Sequence, residues 1–132
     1  GPEMDGKEDF AVEPIENLLD TVFEYNCKLD KNIFLSVLDR LSLFISPYDK
    51  NAVRLTFAKD GLQISSKASS GIEVIPYKDG FAGSFTCDID IEMLTQEVKA
   101  VQSDTVSLQY GEDNAIKLED GNLSIVVALL EE

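Results

Sequence analysis

Phe23-Glu24-Tyr25-Asn26-Cys27-Lys28-Leu29-Asp30 reappears, about sixty residues later, as Gly83-Ser84-Phe85-Thr86-Cys87-Asp88-Ile89-Asp90. Each copy alternates apolar and polar residues, carries a cysteine at the same step and ends on an aspartate. Alternation at period two marks a strand with one buried face. An aspartate directly before an apolar pattern of helical period is a helix N-cap. Three short alternating runs follow each helix, so the chain reads as one βαβββ unit used twice. A repeat of two such units is no solenoid, because neither copy buries its apolar face alone. The two must pack together.

The first strand is expected over residues 22–29 and the first helix over 31–45. Ile33, Phe34, Val37, Leu38, Leu41, Phe44 and Ile45 form its apolar stripe, with Asn32, Ser36, Asp39 and Arg40 opposite. Val53, Leu55 and Phe57 open the next strand, Lys59-Asp60-Gly61 is a hairpin signal, and Leu62 and Ile64 follow. Ile72, Val74 and Ile75 carry a strand that Pro76 marks as a sheet edge. In the second copy a helix is expected over 91–102, with Ile91, Leu94, Val98 and Val101 on one face. Val106, Leu108 and Tyr110 mirror Val53, Leu55 and Phe57, and Ile116 and Leu118 precede the Asp120-Gly121 turn. The predicted class is α+β: two βαβββ repeats with two helices on one face of antiparallel sheet.

A chain of 132 residues is the size of one domain. Residues 12–132 are assigned to it. Gly1-Pro2 resembles the remnant of a cleaved tag, and residues 1–11 are expected to be a disordered acidic lead. No apolar run reaches the 18 residues of a membrane span, and no secretory pattern precedes the fold. A cytoplasmic protein with no membrane partner is expected. The formal charge of −14 argues against an autonomous nucleic-acid binder and points to protein partners.

Catalytic chemistry has little to stand on. There is no histidine, no nucleophile beside an activating base, and no glycine-rich loop opening a helix. No cofactor or metal site is predicted. Glu92, Glu97, Glu112 and Asp113 read as solvated surface, and Asp30 and Asp90 as caps. Cys27 and Cys87 occupy matching strand positions and should point into the core as small apolar residues.

The last strand, over 123–130, breaks the alternation. Leu123, Ile125, Val127 and Leu129 form one apolar face, while Val126, Ala128 and Leu130 make the other apolar as well. With helices expected on one face of the sheet only, that second face needs another cover. Two readings stand: the lead-in residues Ile15, Leu18 and Leu19 pack there, or together they form a shallow groove for a partner peptide.

Several stretches, in order, resemble one family. Phe34-Leu35-Ser36-Val37-Leu38-Asp39-Arg40, then Asn51-Ala52-Val53-Arg54-Leu55, then Leu62-Gln63-Ile64-Ser65-Ser66 resemble the C-terminal domain of the bacterial DNA sliding clamp, the beta subunit of DNA polymerase III. Ile15-Glu16-Asn17-Leu18-Leu19 resembles the linker entering that domain, and Val126 to Glu132 resembles its end. The resemblance implies a non-catalytic processivity factor, whose full ring surrounds duplex DNA and tethers DNA polymerase and clamp-loader subunits through their short linear motifs. By position it assigns Leu18, Val126, Ala128 and Leu129 to the peptide-docking groove. It assigns Phe44 and Ile45 to the ring interface with other clamp domains, where periodicity alone makes them core. Lys31, Arg40 and Lys99 become the DNA-facing cations, few enough that contact with the backbone is expected to be weak. Three departures stand out. Leu129-Leu130-Glu131-Glu132 replaces the Pro, apolar and Arg pattern that ends the family's chains, the helix faces lack the usual lysines and arginines, and one such domain alone cannot encircle DNA. A divergent clamp, bacterial or phage-encoded, fits these departures. The alternative is a clamp-fold acidic protein-interaction module that does not encircle DNA.

Overall fold

A computed structural model of the chain describes residues 23–45, 48, 51–66, 71–81, 83–112, 115–120 and 123–128; over 123–128 it gives backbone and register. The lead at residues 1–11, and Leu18 and Leu129, lie outside the described residues. The elements run β1 (Tyr25–Asp30), α1 (Lys31–Ser42), β2 (Ala52–Ala58), β3 (Gly61–Ser66), β4 (Ile72–Ile75) and β5 (Tyr77–Asp79). The second half follows with β6 (Phe85–Asp90), α2 (Ile91–Ala100), β7 (Thr105–Glu112), β8 (Ala115–Asp120) and β9 (Leu123–Ala128).

The caps form as the aspartates predict. Asp30 accepts from the Ile33 amide at 2.9 Å and Asp90 from the Met93 amide at 3.0 Å. The amide of the first residue of each helix donates across to the other half: Lys31 to the Asp104 carbonyl at 2.9 Å, Ile91 to the Asn51 carbonyl at 2.8 Å. These two bonds are images of each other and express the internal twofold.

The strands form two antiparallel sheets, ordered β5-β1-β7-β8-β9 and β4-β3-β2-β6. Each half lends its first strand to the other half's sheet: β1 pairs with β7, with Cys27 opposite Leu108, and β6 pairs with β2, with Cys87 opposite Leu55. One cluster of buried residues takes side chains from both helices and both sheets, so the two helices share one side, as expected. Phe57 and Tyr110 hold equivalent positions on β2 and β7. Their rings stack with centroids 3.8 Å apart and planes 11° apart. Phe85 and Tyr25, also equivalent, lean on Tyr110 at 5.9 and 5.6 Å. Four aromatics therefore join the two sheets near the pseudo-twofold axis. The Tyr110 hydroxyl donates to the Gly83 carbonyl at 2.8 Å. Glycine at 83 leaves room for the Tyr25 ring, since a methyl group there would lie 2.2 Å from it, and at Gly111 it would lie 2.9 Å from that ring on a backbone with φ of +106°.

Several boundaries differ from the expectation. Residue 22 lies outside the described residues and the first strand starts at Tyr25. The regular part of α1 ends at Ser42, not residue 45; Leu43, Phe44 and Ile45 continue as tighter turns, donating to the carbonyls three residues back. That change of pitch throws Phe44 off the apolar stripe, and Ile33, in the first turn, is 44 % exposed. Helix α2 ends at Ala100 rather than 102, because Val101 takes an extended conformation. The linker between the halves holds the short strand β5.

Candidate docking and interface surfaces

The cross-strand register decides which face each residue of β9 occupies. Val127 opposes Ile116 and Ile125 opposes Leu118; Ile116 and Leu118 are fully buried in the core. Val127 and Ile125 therefore sit at core-side positions. Val126 and Ala128, opposite Lys117 and Ala115, occupy the face turned away from the helices. The two predicted groove residues that fall within the described backbone thus share one face at a sheet edge. That face is not bare on the neighbouring strand: Ala115 is fully buried and Lys117 nearly so. The Lys117 ammonium lies 3.6 Å from the Glu119 carboxylate, whose other oxygen accepts from Gln109 Nε2 at 2.8 Å. Sequence reasoning missed Lys117, since a lone charged residue in an alternating strand reads as solvent-facing.

The predicted interface pair behaves as two different residues. Phe44 is 54 % exposed, whereas Ile45 is half-buried and packs against the core. Leu43, which helical periodicity places off the stripe, is 79 % exposed. Beside this turn runs β4, an end strand of its sheet, with Ile72 and Val74 both exposed. Arg40 ties the two together, giving Nε and Nη2 to the Glu73 carboxylate at 2.9 and 3.0 Å. The paired hydrogen bonds hold the Glu73 carboxyl below its usual range and raise the guanidinium. Leu43 and Phe44 on one side, Ile72 and Val74 on the other, thus flank an open strand edge. Alternation of Ile72 and Val74 ahead of Pro76 was the available signal.

The three predicted DNA-facing cations are mostly committed elsewhere. Arg40 is held by Glu73. Lys31 donates its ammonium to the Val101 carbonyl just past the end of α2. Lys99 lines a cleft of about 320 Å³ between the helices, with Leu35, Ser36, Asp39, Ser42 and Thr95. Cys27 is buried and Cys87 half-buried, both as free thiols; burial pushes each up to about 12. Neither is a nucleophile at neutral pH. Among the described residues no group of three or more carboxylate or cysteine side chains is arranged to hold a metal ion, and no helix is long and apolar enough to cross a membrane.

No protein-family model matches the chain, and no curated protein does. Solved structures do. A putative DNA polymerase III beta subunit from Eubacterium rectale superposes with a TM-score of 0.75 over 88 % of this chain, at 16 % identity and over 33 % of its own length. The DNA polymerase III subunit beta of Pseudomonas aeruginosa gives 0.73 over 89 %, at 13 % identity and 34 % of its length. The Helicobacter pylori beta clamp bound to a DNA ligase peptide gives 0.69 over 80 %, at 14 % identity and 31 % of its length. The chain spans about a third of the structures it matches. It has the α+β fold of a beta-clamp domain.

Proposed function

We propose that this chain is a domain of a DNA sliding clamp, a non-catalytic processivity factor that tethers DNA polymerase and other replication and repair proteins to DNA through a peptide-docking groove. The observation that carries this is the TM-score of 0.75 over 88 % of the chain. The open edges add to it. β4 and β9 each end a sheet, one in each half, and no strand among the described residues covers either. A unit with an unlike open edge at each end joins its neighbours head to tail, and head-to-tail contacts make a ring where the rotation between units closes. On this reading Phe44, with Leu43, Ile72 and Val74, meets the next clamp domain, while Ile45 supports the turn from the core side. Val126 and Ala128, with Leu18 and Leu129, receive the linear motifs of polymerase and clamp-loader subunits. Duplex DNA is a partner of the complete ring only, and the compartment is the cytoplasm.

One observation favours the second reading, an acidic interaction module that does not encircle DNA: the commitment of Arg40 and Lys31 within the domain. Phosphate contacts need available cations. Both readings share the docking face, and a titration tests it. A polymerase-derived clamp-binding peptide added to the isotope-labelled chain should shift amides of β8 and β9, and Val126→Asp should abolish binding by setting a carboxylate against apolar anchors. Shifts confined to other elements, or none, would refute the docking role. The residues preceding Asp9 in the full protein separate the two readings: further copies of this domain rich in lysine and arginine favour the clamp, and their absence favours the module.

A further inference from the structure

Each half of this chain is completed by the other. β1 pairs with β7 along its whole length, from Tyr25 opposite Tyr110 to Asp30 opposite Thr105, and β6 pairs in the same way with β2. The first amide of each helix donates into the opposite half, and Phe57 stacks on Tyr110 across the same boundary. The covalent crossing is slight by comparison. Tyr77 gives its hydroxyl to the Ala58 carbonyl at 2.7 Å and stacks on Phe81 with centroids 5.5 Å apart, so the linker is held to the first half as far as Phe81. Gly83 is held to the second half, its carbonyl accepting from Tyr110. The chain therefore passes from one half to the other between Phe81 and Gly83. Just before this step stands Gly80, with φ of +25° and open space where a side chain would be.

We propose that this chain exchanges halves with a second copy of itself: β1 to β4 of each chain combine with β6 to β9 of the other, in a dimer that keeps the contacts between halves and changes only the course of the hinge. The partner follows from complementarity. The surface that fits a first half is a second half, and every copy carries one. Because the two forms share their contacts, concentration sets the balance between them. A short tether holds its ends together at an effective concentration of about 1 mM. The closed monomer therefore prevails at micromolar concentration, and the exchanged dimer appears when chains refold near the millimolar range. A short hinge favours exchange. Reversal requires β1 to leave β7 and β6 to leave β2, so a dimer once formed outlasts dilution. It carries two copies of each open edge, β4 and β9.

The test refolds the full chain from urea at about 1 µM and about 1 mM, dilutes both to one concentration and compares them by sedimentation. The dilute sample should be monomer, and the concentrated one should contain a dimer with the monomer's circular dichroism. Lys28→Cys with Ser107→Cys, placed in a Cys27→Ala, Cys87→Ala background, marks the exchange. Residues 28 and 107 face each other on β1 and β7, at the roughly 5 Å separation that a disulfide spans. Oxidised after refolding, this pair closes one chain on itself in the monomer and joins two chains in the exchanged dimer, which should then survive denaturation until reductant is added. Deleting Ala82 shortens the crossing and should raise the dimer fraction at both concentrations, a readout that needs no new cysteine. No dimer from the wild type at about 1 mM, a dimer whose oxidised chains separate without reductant, or a dimer fraction that the deletion leaves unchanged overturns the exchange.

Discussion

Phe57→Ala removes one of the two rings that stack across the pseudo-twofold axis. Phe57 is fully buried and lies 3.8 Å from Tyr110, centroid to centroid, and 6.5 Å from Phe85. Truncating a buried phenylalanine costs about 3–5 kcal/mol in lost transfer energy and cavity. The stacked geometry adds about 1 kcal/mol that area alone does not carry. A chain of this size holds about 5–15 kcal/mol in all, so the variant should stay folded but marginal. With a urea slope of about 2 kcal/mol per molar, the midpoint should fall by about 2 M. The chain has no tryptophan, so far-ultraviolet circular dichroism and tyrosine fluorescence are the probes. Because the aromatics bridge both sheets, the two probes should report one coincident transition with an unchanged slope. A midpoint shift under about 0.5 M, or two separable transitions in the wild type, would refute the claim that this stack couples the sheets.

Gly83→Ala should be destabilising by about 1–3 kcal/mol, since the new methyl group collides with the Tyr25 ring; a urea midpoint equal to that of the wild type would contradict the packing. Alkaline pH should weaken the fold. Unfolded thiols ionise near 9.0, whereas Cys27 and Cys87 keep their protons up to about 12 when folded. The native state therefore binds more protons in that window and stability falls as pH rises through it. A Cys27→Ala, Cys87→Ala variant should show a shallower decline, and an identical one would count against burial as its cause. At physiological salt the isolated chain should show no submicromolar affinity for duplex DNA in a fluorescence titration, because two of its three candidate cations are held internally.

Local chemistry was the legible part of this chain. Asp30 and Asp90 announce both helices, and Lys59-Asp60-Gly61 announces the β2–β3 hairpin, because cap and turn depend on a few adjacent residues. The strand exchange was hidden, since a repeat says that the halves are alike and not which half pairs with which. Strand β5 is three residues long, too short for a periodic signal. The tightening after Ser42 swapped the roles of neighbouring residues: Leu43 and Phe44 project while Ile45 packs inward, a local change of pitch that a constant helical period misses. Lys117 was invisible for a related reason. Its burial comes from the side of the sheet that alternation assigns to solvent.

The traded strands also constrain how the chain must be made. Cys27 meets Leu108 only after roughly eighty intervening residues have been synthesised. Until β7 emerges from the ribosome, β1 has only the short β5 beside it, and until β6 emerges, β2 presents a bare edge next to β3. Neither sheet can close on its own half, so a nascent first half waits as an exposed, strand-rich intermediate. Slow folding dominated by distant pairings follows, and so does a hazard: two nascent chains side by side each offer, in β1 and β2, the counterparts of the β6 and β7 strands that the other still lacks.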